Sequence, residues 1–150
     1  MYVSVLVGLG AAQSPKSGPG PCALLTKVEV QEAVGAPVAD GVVNKTNRSV
    51  CDFKVGDMGS AVSILLIAKA TDDSAGRTVA ELTKRKISSE VISGFGDGAY
   101  TSSPGYGMQQ LGVYKGTNHA IVTVLLSGAP DAKSKAVAQA VMRKALARVP

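Results

Sequence analysis

The sequence predicts an α+β domain, an antiparallel sheet with helices packed on one face. Three observations carry that expectation. Runs that alternate apolar and polar residues come in pairs joined by glycine-containing turns, over 48–70 and again over 107–128, as antiparallel hairpins require. Three other segments, near the start, in the middle and at the end, carry helix-start signals or a helical apolar arc. No strand–helix–strand stretch bears a nucleotide-binding signature, so the doubly wound nucleotide folds are not indicated.

The first helix is expected in "LLTKVEVQEAVG". Thr26 and Glu29 have capping-box spacing, Leu25 and Val30 can staple across it, and Gly35 with Pro37 stops it. "RSVCDFKVG" and "SAVSILLIAKA" read as two antiparallel strands joined across Gly56–Gly59. "NKTNRS" just before them contains two overlapping glycosylation sequons, at Asn44 and Asn47, and reads as a polar loop. The next helix is expected to run through "DDSAGRTVAELTKRKISSEV", with Val79, Leu82 and Ile87 toward one side and Lys84 and Arg85 nearer the other. "GMQQLGVYKG" and "HAIVTVLLSG" form a hairpin about Lys115–Asn118. The last segment, "PDAKSKAVAQAVMRKALARVP", is an Ala-rich amphipathic helix. Ala138, Val141, Met142, Ala145 and Val149 share one arc, and Lys133, Gln139, Arg143 and Lys144 the opposite one.

The chain of 150 residues suits one domain with an ordinary core, which must be aliphatic because Trp is absent and only two Phe are present. Tyr2–Leu9 is a short apolar run, too short to span a bilayer, and Gly10, Ala11 and Ala12 supply the small residues a signal peptidase reads. Residues 1–12 are therefore expected to be a signal peptide, truncated because no Lys or Arg precedes the run; an N-terminal strand is the alternative. Residues 13–21 read as a Pro/Gly/Ser linker and 22–150 as the single α+β domain. Two cysteines in an exported chain are most simply one disulfide. Linking Cys22 to Cys51 would close a loop of about 30 residues and contribute roughly 3.5 kcal/mol through chain entropy. Two separate buried thiols are the alternative. A lipid anchor is not indicated, because "GPGPC" lacks the small and aliphatic residues that precede a lipidated Cys.

The net charge of +5 is concentrated in two places. Residues 75–89 carry +3 and residues 131–150 carry +4, so the remainder sums to −2. Arg77, Lys84 and Arg85 on one helix and Lys133, Arg143 and Lys144 on the other are the candidate basic face for an anionic polymer; solvated helix backs are the plainer reading. Nucleic acid is not the expected partner.

Little else in the chain speaks of chemistry. "SGFGDGAYTSS", residues 93–103, spaces Gly94, Gly96 and Gly98 as G-x-G-x-G, which is not the dinucleotide spacing, and no helix start follows. Asp97 stands alone, where a calcium loop needs several acids at alternate positions. The run reads as a tight turn that delivers Tyr100 into a strand. The single histidine, His119, beside the hairpin turn, reads as a surface or strand-end residue without metal or catalytic partners. The pairs Glu29/Glu32 and Asp72/Asp73 are explained by helix capping and the helix dipole. No G-x-S-x-G elbow supports a serine hydrolase. Asp97, Tyr100, Tyr106 and Tyr114 remain as candidate ligand-binding residues; no metal, cofactor or catalytic group is indicated.

Taken together, "PCALLTKVEVQEAVG", "CDF", "ISGFGDGAY", "LGVYKGTNHAIVTV" and the closing Ala-rich basic helix resemble a family of small exported bacterial domains of unknown function. That family includes lipoproteins and extracellular sensor-like domains of high-GC Gram-positive bacteria, with folds similar to PsbP-like α/β sandwiches. The resemblance spans roughly Pro21 to Val149, and it implies that Cys22 and Cys51 pair. Two departures are the missing lipidation cysteine and Phe53 where the family tends to carry Trp. The resulting expectation is a periplasmic or secreted, non-enzymatic, sensor-like binding domain for a cell-envelope component, a protein or a small molecule. It would bind through a sheet face free of helices or through its Tyr-bearing loops. An anionic-polymer binder acting through the basic helices, and a hydrolase with an unrecognised site, are the alternatives.

Overall fold

The structure, a computed structural model, describes residues 20–150; the expected signal segment 1–12, and the linker as far as residue 19, lie outside the described residues. Pro21–Ala23 form a 3-10 turn, with Pro21 buried, so the folded part already includes the end of the expected linker. Then follow α1 (Lys27–Val34), β1 (Val42–Val43), β2 (Val50–Val55), β3 (Ser60–Ile67), α2 (Ala75–Lys84), β4 (Ser88–Ile92), β5 (Gly98–Gly105), β6 (Met108–Lys115), β7 (Asn118–Leu125) and α3 (Asp131–Leu146). The strands make a seven-stranded sheet in the order β1-β2-β3-β7-β6-β5-β4, with every neighbour antiparallel. The α+β class is as the sequence indicates.

Local signals set most of the elements. Thr26 Oγ1 accepts from the Glu29 amide at 3.2 Å, and Glu29 Oε2 accepts from the Thr26 amide at 2.9 Å, which completes the capping box of α1. Leu25 and Val30 are both buried beside it, as a staple requires. Gly35 ends the helix at φ 75°, a left-handed cap that only glycine takes without strain. The two hairpins turn where the sequence places them, with Val55 opposite Ser60 and Lys115 opposite Asn118. The middle helix is shorter than expected. It ends at Lys84, Lys86 adopts a left-handed φ of 59°, and residues 88–92 become the edge strand β4. Pairing with β5, from Ser88–Ser103 to Ile92–Ala99, supplies the backbone partners that outweigh a weak helical pattern.

The helices do not share one face of the sheet, and this corrects the expected layering. Alternate residues of β2, β3, β7 and β6, namely Phe53, Val62, Ile64, Val122, Val124, Leu111 and Val113, join Val30, Val34, Val137, Val141 and Met142 in the main core beneath α1 and α3. The opposite face of β5 and β6 carries Tyr100 and Tyr114, which pack with Ala75, Val79 and Leu82 of α2. The sheet is therefore enclosed on both faces over β5 and β6. A helix's apolar stripe says that it lies on a sheet, but not on which face; the connections decide that. The rest of α2's face, over β2, β3 and β7, has no helix upon it. On this face Ser63 donates to Asp52 between β3 and β2, and the polar row continues from β7 into β6 and β5, where Gln110 donates to Thr123 and Ser102 donates to Gln110.

Three ties close the main core. The disulfide Cys22–Cys51 joins the 3-10 turn to β2, with Cα atoms 5.0 Å apart. Gly41 passes so near this bridge that a Cβ would stand 2.7 Å from the Phe53 ring and 2.8 Å from Cys51 Sγ. Lys115 Nζ donates to the carbonyls of Leu146 and Val149, 2.8 Å each, which neutralises the carbonyl end of α3. The Arg148 guanidinium, beyond α3, grips Glu29 of α1 through both nitrogens at 2.9 and 2.8 Å and also reaches the Leu24 carbonyl. Hydrogen bonding to Arg148 is the main reason the Glu29 carboxyl falls from 4.5 to about 2.

That shift has a pH signature. A carboxyl whose pKa is lower in the folded state contributes stability in full above its unfolded pKa, and loses it as pH falls through the folded pKa. Glu29→Gln is expected to lower the urea midpoint at pH 7. The gap from the parent protein should narrow below pH 4.5 and close near pH 2. A gap of equal size at both pH values would show that the ion pair is not its source.

Candidate functional site

The residues that could hold a ligand gather where the start of α2 meets the β6–β7 turn. Tyr114 and His119 stand opposite each other beside that turn, and their rings stack with centroids 4.0 Å apart and planes 16° from parallel. Tyr100 lies one strand over, opposite Gly112. Because Gly112 has no side chain, the Tyr100 ring crosses above it, and the Tyr100 hydroxyl reaches His119 Nε2 at 3.1 Å. Tyr114 points the other way, donating to Asp73 Oδ2 at 2.6 Å. Thr78 Oγ1 lies 2.8 Å from the same tyrosine hydroxyl and 3.3 Å from Asp73 Oδ1, so its single proton is shared between the two. Ser74 caps α2 through the Arg77 amide while donating its own amide to Asp73. The carboxylate thus joins the helix start to the sheet.

The glycine-rich run completes the wall. Gly94 and Gly96 have φ of 90° and 51°, and a Cβ on Gly96 would come within 2.5 Å of the Tyr114 carbonyl oxygen. The turn lies flat against β6 in this way, and the Asp97 amide donates to that same carbonyl at 2.8 Å. Asp97 Oδ2 accepts from the Gly116 amide at 2.7 Å, tying the run to the β6–β7 turn. Phe95, between the two glycines, is buried in the main core under the Arg143 guanidinium, 4.4 Å from its ring centroid. The run is a structural turn that also brings a carboxylate to the site.

Between these pieces opens a cleft of about 320 Å³, lined by Ala70, Thr71, Asp73, Ser74, Ala75, Asp97, Gly98, Tyr114, Gly116 and Thr117. Its volume is in the range of small-molecule sites. Asp73 also borders a larger groove, of about 430 Å³, along the outer side of α2, with Arg77, Thr78, Glu81, Leu82 and Arg85. Burial pushes the Asp73 carboxyl up, but the Tyr114 hydroxyl, the Ser74 amide and the Thr78 hydroxyl outweigh it and hold it below the usual range. Burial, and then the bond to Asp73, push Tyr114 up to about 12. Burial also pushes Tyr100 up, and it pushes His119 down against the pull of Asp73. At neutral pH the site therefore holds two intact phenols, a neutral imidazole and one firmly ionised carboxylate at Asp73.

Among the four candidate ligand-binding residues, Asp97 and Tyr114 meet in the cleft. Tyr100 lies behind it, 3% exposed. Tyr106 is at the tip of the β5–β6 turn, 94% exposed, at the opposite end of β6 from the cleft. His119 does lie at the end of a strand, but it is 4% exposed rather than a surface group, because Tyr114 covers its ring and Tyr100 binds its nitrogen. The six candidate cations do not form one basic face. Arg77, Lys84 and Arg85 ride on α2 and Lys133, Arg143 and Lys144 on α3, on opposite sides of the sheet. Lys84 is spent on Glu81 at 2.7 Å, and Arg143 on Phe95. Sequence reasoning treated Asp73 only as a helix-start acid. One signal was available for the aromatic pair: Tyr114 and His119 sit just outside Lys115 and Asn118, so any hairpin there brings them face to face. Among the described residues no three His, Cys, Asp or Glu side chains gather as metal ligands, and no helix is long and apolar enough to cross a membrane. The chain matches no known protein family, no curated protein and no solved structure.

Two substitutions probe this construction. Gly112→Ala would place a methyl group on the Tyr100 ring, and the forced movement is expected to cost about 1–3 kcal/mol in urea unfolding. An unchanged midpoint would mean that the ring moves aside freely. Tyr114→Phe keeps the stack on His119 and removes the donor to Asp73. The Asp73 carboxyl should then titrate at higher pH by NMR, with about 1 kcal/mol of stability lost, less than for a buried hydrogen bond to a charge because Asp73 is exposed.

Proposed function

We propose that this protein is an extracytoplasmic, non-enzymatic, sensor-like binding domain of the PsbP-like sandwich type, and that the cleft between the start of α2 and the β6–β7 turn holds a small molecule of the cell envelope. The observation that carries this reading is the cleft itself. Three separated stretches, 70–75, 97–98 and 114–117, converge on one concavity with an aromatic wall, hydroxyls and carboxylates. The Cys22–Cys51 disulfide supports a location outside the reducing cytoplasm, periplasmic or secreted. The enclosure of β5 and β6 between helices on both faces supports the sandwich comparison.

Binding is favoured over catalysis by the protonation states. A general acid or base works best near the operating pH, whereas Tyr100 and Tyr114 are pushed upward and Asp73 downward. His119 is neutral, buried and hydrogen-bonded, so the hydrolase alternative lacks an activated nucleophile pair at the cleft. The anionic-polymer alternative is weakened by the division of the two basic helices between opposite faces.

A fragment screen by amide NMR tests the proposal. Saturable shifts are expected at Ser74, Asp97, Gly116 and Thr117. Shifts confined to the free half of the sheet, or turnover of an ester, peptide or glycoside panel that His119→Ala abolishes, would replace this reading with another.

A further inference from the structure

We infer that the ligand of this cleft is a cation, a hydroxylated small molecule bearing an ammonium group; the inference rests on the reading of the cleft as a ligand site. The protein carries a net charge of +5, yet no Lys, Arg or His lines the cleft, whereas two carboxylates do. Their protein partners are neutral. Asp73 accepts from the Tyr114 hydroxyl, the Ser74 amide and the Thr78 hydroxyl, and Asp97 accepts from the Gly116 amide. The ion pairs among the described residues are Lys27–Asp40, Lys84–Glu81 and Arg148–Glu29, so neither cleft acid takes part in one. Each carboxylate has room for about four hydrogen bonds, and Asp97 Oδ1 has no donor among those found in the protein.

The other walls narrow the class. Tyr114 is the aromatic residue of the lining; it is 7% exposed, so it offers an alkylammonium group a limited apolar contact. Thr71, Ser74 and Thr117 offer hydroxyls at the rim, which can exchange hydrogen bonds with ligand hydroxyls. An anion would find the start of α2 already occupied by Asp73, a like charge. A calcium ion takes about 6–8 oxygen ligands, and two carboxylates already committed to tyrosine and amide donors do not supply such a shell.

The test compares glucosamine with glucose, at matched ionic strength, by amide NMR titration of the whole chain. Glucosamine is expected to shift Ser74, Asp97, Gly116 and Thr117 saturably, about tenfold more tightly than glucose, as two partly exposed charge contacts allow. Asp97→Asn keeps an oxygen for the Gly116 amide and removes the charge. It should weaken glucosamine about fivefold and leave glucose unchanged, while the distant control Asp40→Asn changes neither. Equal affinity for the two sugars in the cleft overturns the cation inference and leaves the ligand-site reading standing. Indifference of glucosamine to Asp97→Asn, or calcium chloride saturating the same amides at lower concentration, also overturns it. No saturable shift with either sugar sinks the inference as well, and a fragment screen equally silent at these amides sinks the ligand-site reading with it.

Discussion

Burial of β6 on both faces is the constraint from which the rest of the architecture follows. Leu111, Gly112, Val113 and Tyr114 are buried in succession, and the neighbouring His119 and Ala120 of β7 are buried together. A strand enclosed on two sides must show each face a different surface, and here the difference is sharp. One face is aliphatic and takes α1 and α3; the other is aromatic and polar and takes α2. A missing side chain makes the second possible. With a Cβ at position 112, Tyr100 could not lie across β6 to reach His119, and the layer beneath α2 would lose its middle.

The two faces are held by different physics. Beneath α1 and α3, area does the work: Phe53, Leu24, Ile64, Leu111 and Met142 are fully enclosed, and each such side chain stabilises by about 1.5–3 kcal/mol. The disulfide and the Glu29–Arg148 pair close the margins of that core. Beneath α2 the apolar contact is confined to Ala75, Tyr100 and Tyr114 with Ala70, Val79 and Leu82 around them, so hydrogen bonds carry the helix start. Asp73 collects three of them.

The glycine-rich run shows how one stretch answers two demands. Its positive-φ glycines let the chain lie against the Tyr114 carbonyl, and that contact fixes Asp97 over the β6–β7 turn. Its glycine spacing and its single acid do not follow the dinucleotide or calcium-loop patterns. The place of Asp97 opposite Asp73 could not be read in the same way, because the two are joined through a hairpin that neither adjoins in sequence.

What the sequence by itself determined is whatever depends on a few neighbouring residues. The Thr26–Glu29 box, the Gly35 stop, the two hairpins, the arc of Ala138, Val141, Met142 and Ala145 on α3 and the α+β class all follow from caps, turns and periodicity. The tertiary structure decided what depends on where segments cross. It set α2 on the face opposite α3, parted the basic helices, turned residues 88–92 from helix into edge strand, buried His119 under Tyr114 and joined Asp73 to it. The reason is that a stripe or a charge records only that a residue faces something, whereas the identity of that partner is set by connections and by competition for the same buried surface.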